Sequence, residues 1–150
     1  MREILFRARR IDNGEWVEGY PVKYPSGKVV IFKECGEPPD ILLRCEIDPE
    51  TLCQYTGLND KNGNRIWEND IVSCEHEKLQ ECDPAEMFPF PDAIKYKRNY
   101  AVEFINTGGN FGYRLRNKSI HFMLTGNVVY NHNIEIIGNI FDTPELLKGE

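Results

Sequence analysis

The sequence predicts a mainly β protein of antiparallel strands with short helical turns, and three observations lead to this prediction. β-branched and aromatic residues are grouped in short runs such as 28–32, which suit the pleated surface of a sheet. Tight-turn residues such as Asn62 and Gly63 separate the runs, because both tolerate the positive φ that such turns require. The run 100–105 alternates in period two, as a strand with one buried face does.

The first part of the chain has the pattern of a β meander. A turn at 12–14 separates its first two strands, and a second turn at 25–27 separates the next two. Residues 48–52 predict a single helical turn, because Asp48 suits the N-cap and Pro49 suits the first helical position. The predicted strands are 6–9, 16–20, 22–24, 28–32 and 41–47.

A tight turn followed by a strand occupies the middle of the chain. Asn62 and Gly63 predict the turn, and residues 65–72 carry the apolar positions of the strand that follows it. Trp67 and Ile71 lie two strand periods apart in this strand, so we expect both side chains on one face and in the core.

An irregular stretch comes next. Residues 75–98 are acidic and contain prolines, which predicts a long excursion of the kind that is functional or mobile in compact domains. Its phenylalanines, Phe88 and Phe90, alternate with prolines, and we expect them to dock on an apolar surface. Beyond residue 98 the sequence predicts strands at 100–105, 111–115, 127–130 and 134–141, followed by a helical turn at 143–147.

The middle segment resembles the signature of the YopX family of phage and prophage proteins, in which a T-G-L-x-D-x-N-G run leads into an I-x-E-x-D-I-V strand. Residues 56–72 match this signature, and the opening residues 6–8 and closing residues 137–147 fit the same family. Asn69 stands where the family usually has glycine, and asparagine also tolerates left-handed geometry. The resemblance implies a phage or prophage origin and a β-rich fold with a C-terminal SH3-type small barrel. It implies no established activity.

The domain organisation follows from the chain length together with this resemblance. A chain of 150 residues is long enough for one ordinary domain or two very small ones. We expect two parts, an N-terminal β subdomain at 1–58 and a C-terminal SH3-like barrel at 59–150 that carries the excursion at 75–98.

The composition is typical of a globular protein, with 41% hydrophobic and 11% aromatic residues. The net charge of −6 repels polyphosphates at long range, which weighs against non-specific binding of nucleic acid. No apolar run reaches the length needed to span a bilayer, and the N-terminus lacks the apolar region of a secretion signal. We therefore expect a cytoplasmic protein that does not contact a membrane.

The side chains that could carry chemistry do not converge in the sequence. The histidines His76, His121 and His132 lie in unrelated contexts, and no nucleophile with a neighbouring base is evident, so we do not expect an enzyme. Cys74, His76 and Cys82 form one metal hypothesis, but structural zinc takes four protein ligands and no C-x-x-C motif is present. The sequence therefore predicts no metal and no cofactor, and that one metal hypothesis stays open.

Two binding functions fit the sequence. The first is a protein-interaction or assembly module that self-associates or binds a host or phage protein, with Phe88 and Phe90 as apolar anchors. Self-association would cover exposed strand edges, and serine at both positions is then expected to lower the solution mass. The alternative is an accessory protein that binds nucleic acid through stacking and backbone contacts. Its candidate residues are Lys95, Lys97, Arg98, Tyr113 and Arg114.

Overall fold

The computed structural model describes residues 3–35, 41–81, 83–86 and 92–148, and this part of the chain is mainly β, as the sequence predicts. One short α-helix, α1, spans Gly126–Asn131, and three short 3₁₀ turns span Pro49–Thr51, Pro84–Glu86 and Pro144–Leu147. The strands are β1 (Phe6–Arg9), β2 (Trp16–Lys23), β3 (Val29–Cys35), β4 (Ile41–Glu46), β5 (Cys53–Asn59), β6 (Arg65–Trp67), β7 (Asp70–Leu79), β8 (Ala93–Thr107), β9 (Asn110–Asn117), β10 (Ile120–Met123) and β11 (Glu135–Asn139).

The chain forms two compact units. The first comprises Met1–Leu58 and Arg65–Glu68, and the second comprises Asn59–Asn64 and Asn69–Glu150. The sequence suggests a single boundary after Leu58, whereas the division by contacts is discontinuous. The reason is that β6 is hydrogen-bonded to β5, which keeps residues 65–68 with the first unit.

The first unit is built on a six-stranded sheet with the order β4-β3-β2-β1-β5-β6. The neighbouring strands from β4 to β5 run antiparallel, and in β1 and β2 Ala8 lies opposite Val17 with both side chains buried. The two strands predicted at 16–20 and 22–24 are one strand, β2, because Pro21 is accommodated opposite Ile31. The core of this unit consists of Ala8, Val17, Val29, Ile31, Cys45 and Ile47, with Leu52 packed against it.

Arginines and aromatic rings pack together in the first unit. The Arg7 guanidinium carbon lies 4.9 Å from the centre of the Trp16 ring and 5.1 Å from that of Trp67. The Arg9 guanidinium carbon lies 5.2 Å from Trp16, and the rings of Tyr55 and Trp67 are 5.6 Å apart. These cations therefore contribute to packing through cation–π contacts.

The predicted turn at Asn62 and Gly63 is confirmed. Gly63 has a φ of +83°, and its N–H donates to the Asp60 carbonyl at 3.0 Å. The buried Asp60 carboxylate accepts the N–H groups of Asn62 and Asn64, both at 2.9 Å, so the side chain closes the turn that the sequence begins.

The strand predicted at 65–72 is interrupted. β6 ends at Trp67 and β7 begins at Asp70, because Asn69 adopts a φ of +69° and turns the chain between them. This is the left-handed geometry that asparagine was expected to tolerate. Trp67 and Ile71 are both buried, as predicted, but they belong to different strands and to different units and do not share a strand face.

The second unit is built on a five-stranded sheet with the order β10-β9-β8-β7-β11. Its registers place Val72, Tyr100, Val102 and Leu115 on one face, where all four are buried. In the described part of the chain β10 and β11 are the two edges of this sheet, and the sheet does not close on itself. The SH3-type barrel that the family resemblance implies is therefore not shown.

The structure corrects two predictions for the second unit. The strand predicted at 127–130 is the helix α1, whose N-cap Thr125 accepts the Val128 N–H at 3.2 Å. The β-branched pair Val128 and Val129 favours a strand locally, and the cap and the fold override that preference. The excursion predicted at 75–98 is shorter, because β7 continues to Leu79 and β8 begins at Ala93.

In the ranges described above, no helix is both long enough and apolar enough to cross a bilayer.

Candidate interaction site

The far ends of β7 and β8 project beyond the rest of the five-stranded sheet. β11 pairs with β7 only from Asp70 to Ser73, and β9 pairs with β8 only from Ala101 onward. β7 and β8 stay paired with each other as far as Leu79 and Ala93. Residues 74–79 and 93–98 therefore form a two-stranded hairpin, which we call the arm. An isolated two-stranded hairpin is marginally stable in water, so the arm depends on what supports it.

Opposite charges face each other along one side of the arm. Glu75 lies opposite Lys97, and Glu77 lies opposite Lys95 with 3.7 Å between the Lys95 Nζ and the Glu77 carboxylate. Cross-strand pairs of opposite charge stabilise a hairpin by a few tenths of a kcal/mol to about 1 kcal/mol each. This ladder explains why a segment with few apolar residues continues as strand where the sequence pattern predicts an excursion.

Apolar side chains lie exposed toward the end of the arm. Leu79 is 70% exposed, and Ile94 and Tyr96 on the neighbouring strand are also exposed. Phe88 and Phe90, the anchors predicted from the sequence, lie outside the described residues, in the segment that connects the two strands of the arm. The arm thus ends in apolar surface that its own strands leave open to solvent.

The segment that follows α1 holds the base of the arm. The Glu75 N–H donates to the His132 carbonyl at 2.8 Å, and the His132 Nδ1 lies 2.8 Å from the Glu75 carbonyl. A carbonyl oxygen only accepts, so Nδ1 carries the hydrogen of the His132 ring. The Asn133 amide donates to the Glu75 carboxylate at 3.0 Å, and this bond is the main reason why the pKa of Glu75 is lowered. We call these contacts of Glu75 with His132 and Asn133 the clasp.

An aromatic cluster surrounds His76 beside the clasp. The His76 ring centre is 5.0 Å from that of His132 and 5.3 Å from that of Tyr96, on which it stacks. The His76 Nε2 is 2.9 Å from the Tyr100 hydroxyl, and Phe122 packs edge-on against the Tyr100 ring at 5.1 Å. Burial lowers the pKa of His76, and the neighbouring His132 and Arg98 lower it further.

The structure corrects the view that the three histidines are unrelated. His76 and His132 are in contact, whereas His121 is exposed on β10 with its Nδ1 3.3 Å from the Ser119 carbonyl. Sequence reasoning missed the pair because the two residues are far apart in the chain. They come together only through the pairing of β7 with β11, the strand that follows His132. No local motif could have indicated this contact.

The clasp borders a polar cavity of about 250 Å³ that is lined in part by His76, His132 and Lys95. Within the described ranges no group of three or more metal-ligating side chains comes together. Burial raises the pKa of the Cys74 thiol to about 12, so this thiol is protonated at neutral pH. Cys82, the third member of the metal hypothesis, lies outside the described residues.

The candidate nucleic-acid residues do not form one surface. Strand alternation places Lys95, Lys97 and Arg114 on one face of the sheet and places Arg98 and Tyr113 on the opposite face. The cations of the first group also face carboxylates. Arg114 pairs with Glu103, and the two lysines lie opposite the glutamates of the arm.

Comparisons with known proteins place this fold among its relatives. No curated protein matches the chain in sequence. The crystal structure of protein EF1440 from Enterococcus faecalis is similar, with a TM-score of 0.54 and 22% identity, covering 99% of this chain and 100% of that one. A similarity at this level of identity concerns the fold alone. The family model described as YopX protein matches residues 5–148, nearly the whole chain, and the protein therefore belongs to the YopX family.

Proposed function

We propose that this protein is a non-enzymatic interaction module of phage or prophage origin that works in the cytoplasm and docks a host or phage protein through the arm. The observation that carries the proposal is the projecting hairpin of residues 74–79 and 93–98 with its exposed apolar end. A hairpin of this kind offers strand edges for added strands and apolar side chains as anchors.

The edges of the arm support this proposal. Beyond Ser73 no described strand pairs with the outer side of β7, and the only backbone contact there is the clasp between Glu75 and His132. A partner strand placed along Glu77–Leu79 would satisfy backbone groups that now face solvent. Burial of Leu79 and Ile94 would add apolar contact on both faces of the hairpin, because these residues point to opposite sides.

The charges favour a protein partner over nucleic acid. Each lysine on the ladder side of the arm already faces a glutamate, and the whole chain carries a net charge of −6. A phosphate backbone would have to compete with these carboxylates and overcome long-range repulsion. A protein surface with an apolar patch meets neither obstacle.

The test compares two serine variants that remove exposed apolar side chains at different places. Leu79→Ser with Ile94→Ser changes the arm, and Phe111→Ser is the matched control, because Phe111 is 72% exposed on β9 and outside the arm. Each tagged protein captures binding proteins from host lysate, with and without nuclease treatment. The captured protein is then purified, and its affinity for each variant is measured by calorimetry.

We expect the arm variant to lose at least tenfold in affinity for the purified partner and the Phe111 variant to bind as the unchanged chain does. Equal binding by all three proteins would overturn the role of the arm. Retention that disappears with nuclease, together with direct binding to DNA that weakens steeply with salt, would replace the proposal with the nucleic-acid alternative.

A further inference from the structure

One strand edge of the first unit carries exposed apolar side chains. In the described part of the chain the edges of the two sheets are β4, β6, β10 and β11. β4 is the longest of these at six residues, and two consecutive leucines lie exposed on it. Leu42 is 60% and Leu43 is 42% exposed, one on each face. Sheet proteins normally protect such edges with charges, prolines or bulges, because an open apolar edge pairs with other strands.

The backbone of β4 shows which groups this edge presents. The Ile47 N–H donates inward to the Val29 carbonyl, and the Glu46 carbonyl accepts outward from the Ile11 N–H. The backbone N–H and C=O groups of successive residues point to alternate sides of an antiparallel strand. Leu42 and Arg44 therefore point these groups outward, as Glu46 does. The contacts of Glu46 with Ile11 and of Asp48 with Arg9 occupy this end of the edge, which leaves Leu42–Arg44 as the free stretch among the described residues.

The register of an added copy follows from these directions. A residue whose N–H and C=O groups point outward forms hydrogen bonds only with a residue of the second copy whose groups also point outward. In a symmetric antiparallel pair this requires the two-fold axis to pass through a residue and not between two residues. An axis through Leu43 places Leu42 opposite Arg44 of the second copy, and about four backbone hydrogen bonds form within the free stretch. An axis through Arg44 would oppose two arginines, which is destabilising. With an axis through Leu42, the only hydrogen-bonded pair within the free stretch would be Leu42 with Leu42 of the second copy.

The Leu43 register is also the best for the side chains. Residues on the axis form a pair without hydrogen bonds, in which the Cα atoms approach to about 4.5 Å, so the two Leu43 side chains touch. Arg44 is held over the Tyr24 ring at 5.6 Å and donates to the Tyr24 hydroxyl at 3.3 Å, which keeps its charge away from the axis. Within the free stretch no like charges face each other in this register.

We infer that a second copy of this chain docks on the free edge of β4, with the two-fold axis at Leu43, so that two six-stranded sheets become continuous. This inference rests on the proposed function of an interaction module and names one partner, the chain itself. The contact uses β4 and not the arm, so the two proposals can fail separately. A closed two-fold contact of this kind gives a dimer and does not extend into fibres.

The test is a charge-complementation experiment at the axis. Leu43→Lys and Leu43→Glu each place like charges together in a symmetric pair, whereas a mixture of the two variants pairs lysine with glutamate. We expect the unchanged chain to show twice the 17.4 kDa of the single chain by light scattering over a dilution series. Each variant alone is expected to show the mass of one chain, and the equimolar mixture is expected to recover the dimer mass.

Two further proteins separate loss of pairing from loss of folding. Leu42→Pro removes an N–H that faces solvent, which an edge strand tolerates, so this variant is expected to fold and remain monomeric. Leu79→Lys, at the more exposed leucine of the arm, is expected to remain dimeric. Recovery of the dimer on mixing can occur only if both Leu43 variants are folded.

Three results would overturn the inference. The first is an unchanged chain with the mass of one chain throughout the series. The second is a dimer that persists in Leu43→Lys. The third is a dimer that is lost when Phe88 and Phe90 are replaced by serine and is retained in both Leu43 variants, since self-association would then use the segment between the arm strands. Leu79→Ser with Ile94→Ser is expected to keep the dimer, whatever its effect on the partner of the arm.

Discussion

Replacement of Asp60 by alanine tests how much one carboxylate contributes to the central turn. Its Oδ1 accepts the N–H groups of Asn62 and Asn64 at 2.9 Å each, and its Oδ2 accepts the Ile136 N–H at 3.1 Å. Asp60 is only 6% exposed, so water replaces these bonds poorly after the change. The side chain therefore ties the turn to the last strand of the second unit as well as closing the turn itself.

The expected cost is about 3 kcal/mol. A net contribution of about 1 kcal/mol per hydrogen bond gives this figure for three bonds, and bonds to a charged group are stronger. Asp60→Asn is the matched control, because an amide keeps an oxygen for Asn62 and Asn64 and turns its NH₂ toward the Ile136 N–H. We expect this variant to lose about 1 to 2 kcal/mol.

The assay combines urea unfolding followed by circular dichroism with amide hydrogen exchange. Tryptophan fluorescence is a poor probe here, because Trp16 and Trp67 belong to the first unit, whereas Asp60 belongs to the second. In Asp60→Ala the amides of Asn62, Asn64 and Ile136 are expected to exchange faster than those of the first unit. A loss below about 0.5 kcal/mol, which is typical of an ordinary surface change, would refute the reasoning.

Three other predictions concern the second unit and the turn that leads into it. The pKa of His76 is lowered in the folded state, so the unfolded chain binds its proton more readily, and stability should fall as pH drops below about 6.5. His76→Phe should reduce the difference between the urea midpoints at high and low pH, and an unchanged difference would contradict this. Thr125→Ala should cost about 1 kcal/mol in urea unfolding and Thr125→Ser much less, since serine also caps Val128; equal losses would argue against the cap. Asn69→Val should cost about 1 to 2 kcal/mol and Asn69→Gly should be tolerated in thermal unfolding, because φ is +69° at this residue.

Local signals in the sequence predict the parts of this fold that are formed by neighbours in the chain. The turn at Gly63, the left-handed Asn69 and the 3₁₀ turn at Pro144 each depend on a few adjacent residues, and each is present in the structure. The strand predicted at 127–130 is wrong, because Val128 and Val129 favour a strand locally and the alternative depends on the cap at Thr125. Propensity is a weak guide where a cap and the packing of the whole unit oppose it.

The candidate interaction site was harder to predict because its contacts are non-local. Phe88 and Phe90 lie in the segment between the two strands of the arm, but the clasp at the base of the arm joins Glu75 to His132, which is far away in the chain. In the arm Glu75 lies opposite Lys97 and Glu77 lies opposite Lys95, and an analysis of apolar periodicity does not detect such pairs. The same limit applies to the outward direction of Leu42 on β4, which follows from pairing on its other side.

The arm combines weak pairing with a firm base, and this combination suits a docking element. Beside the backbone pairing, one ion pair between exposed side chains, Lys95 with Glu77, links its strands and contributes little, and toward its end Leu79 and Ile94 lie open to solvent. Its base is fixed by a backbone hydrogen bond from Glu75 to His132, by the contact of the His132 ring with the Glu75 carbonyl, and by the packing of His76 beside them. Local separation of the two strands should therefore begin at the end of the arm and stop at the clasp, because the local free energy of opening is larger where more contacts are buried. A partner that binds the open end would stabilise the hairpin there without changing the sheet behind it.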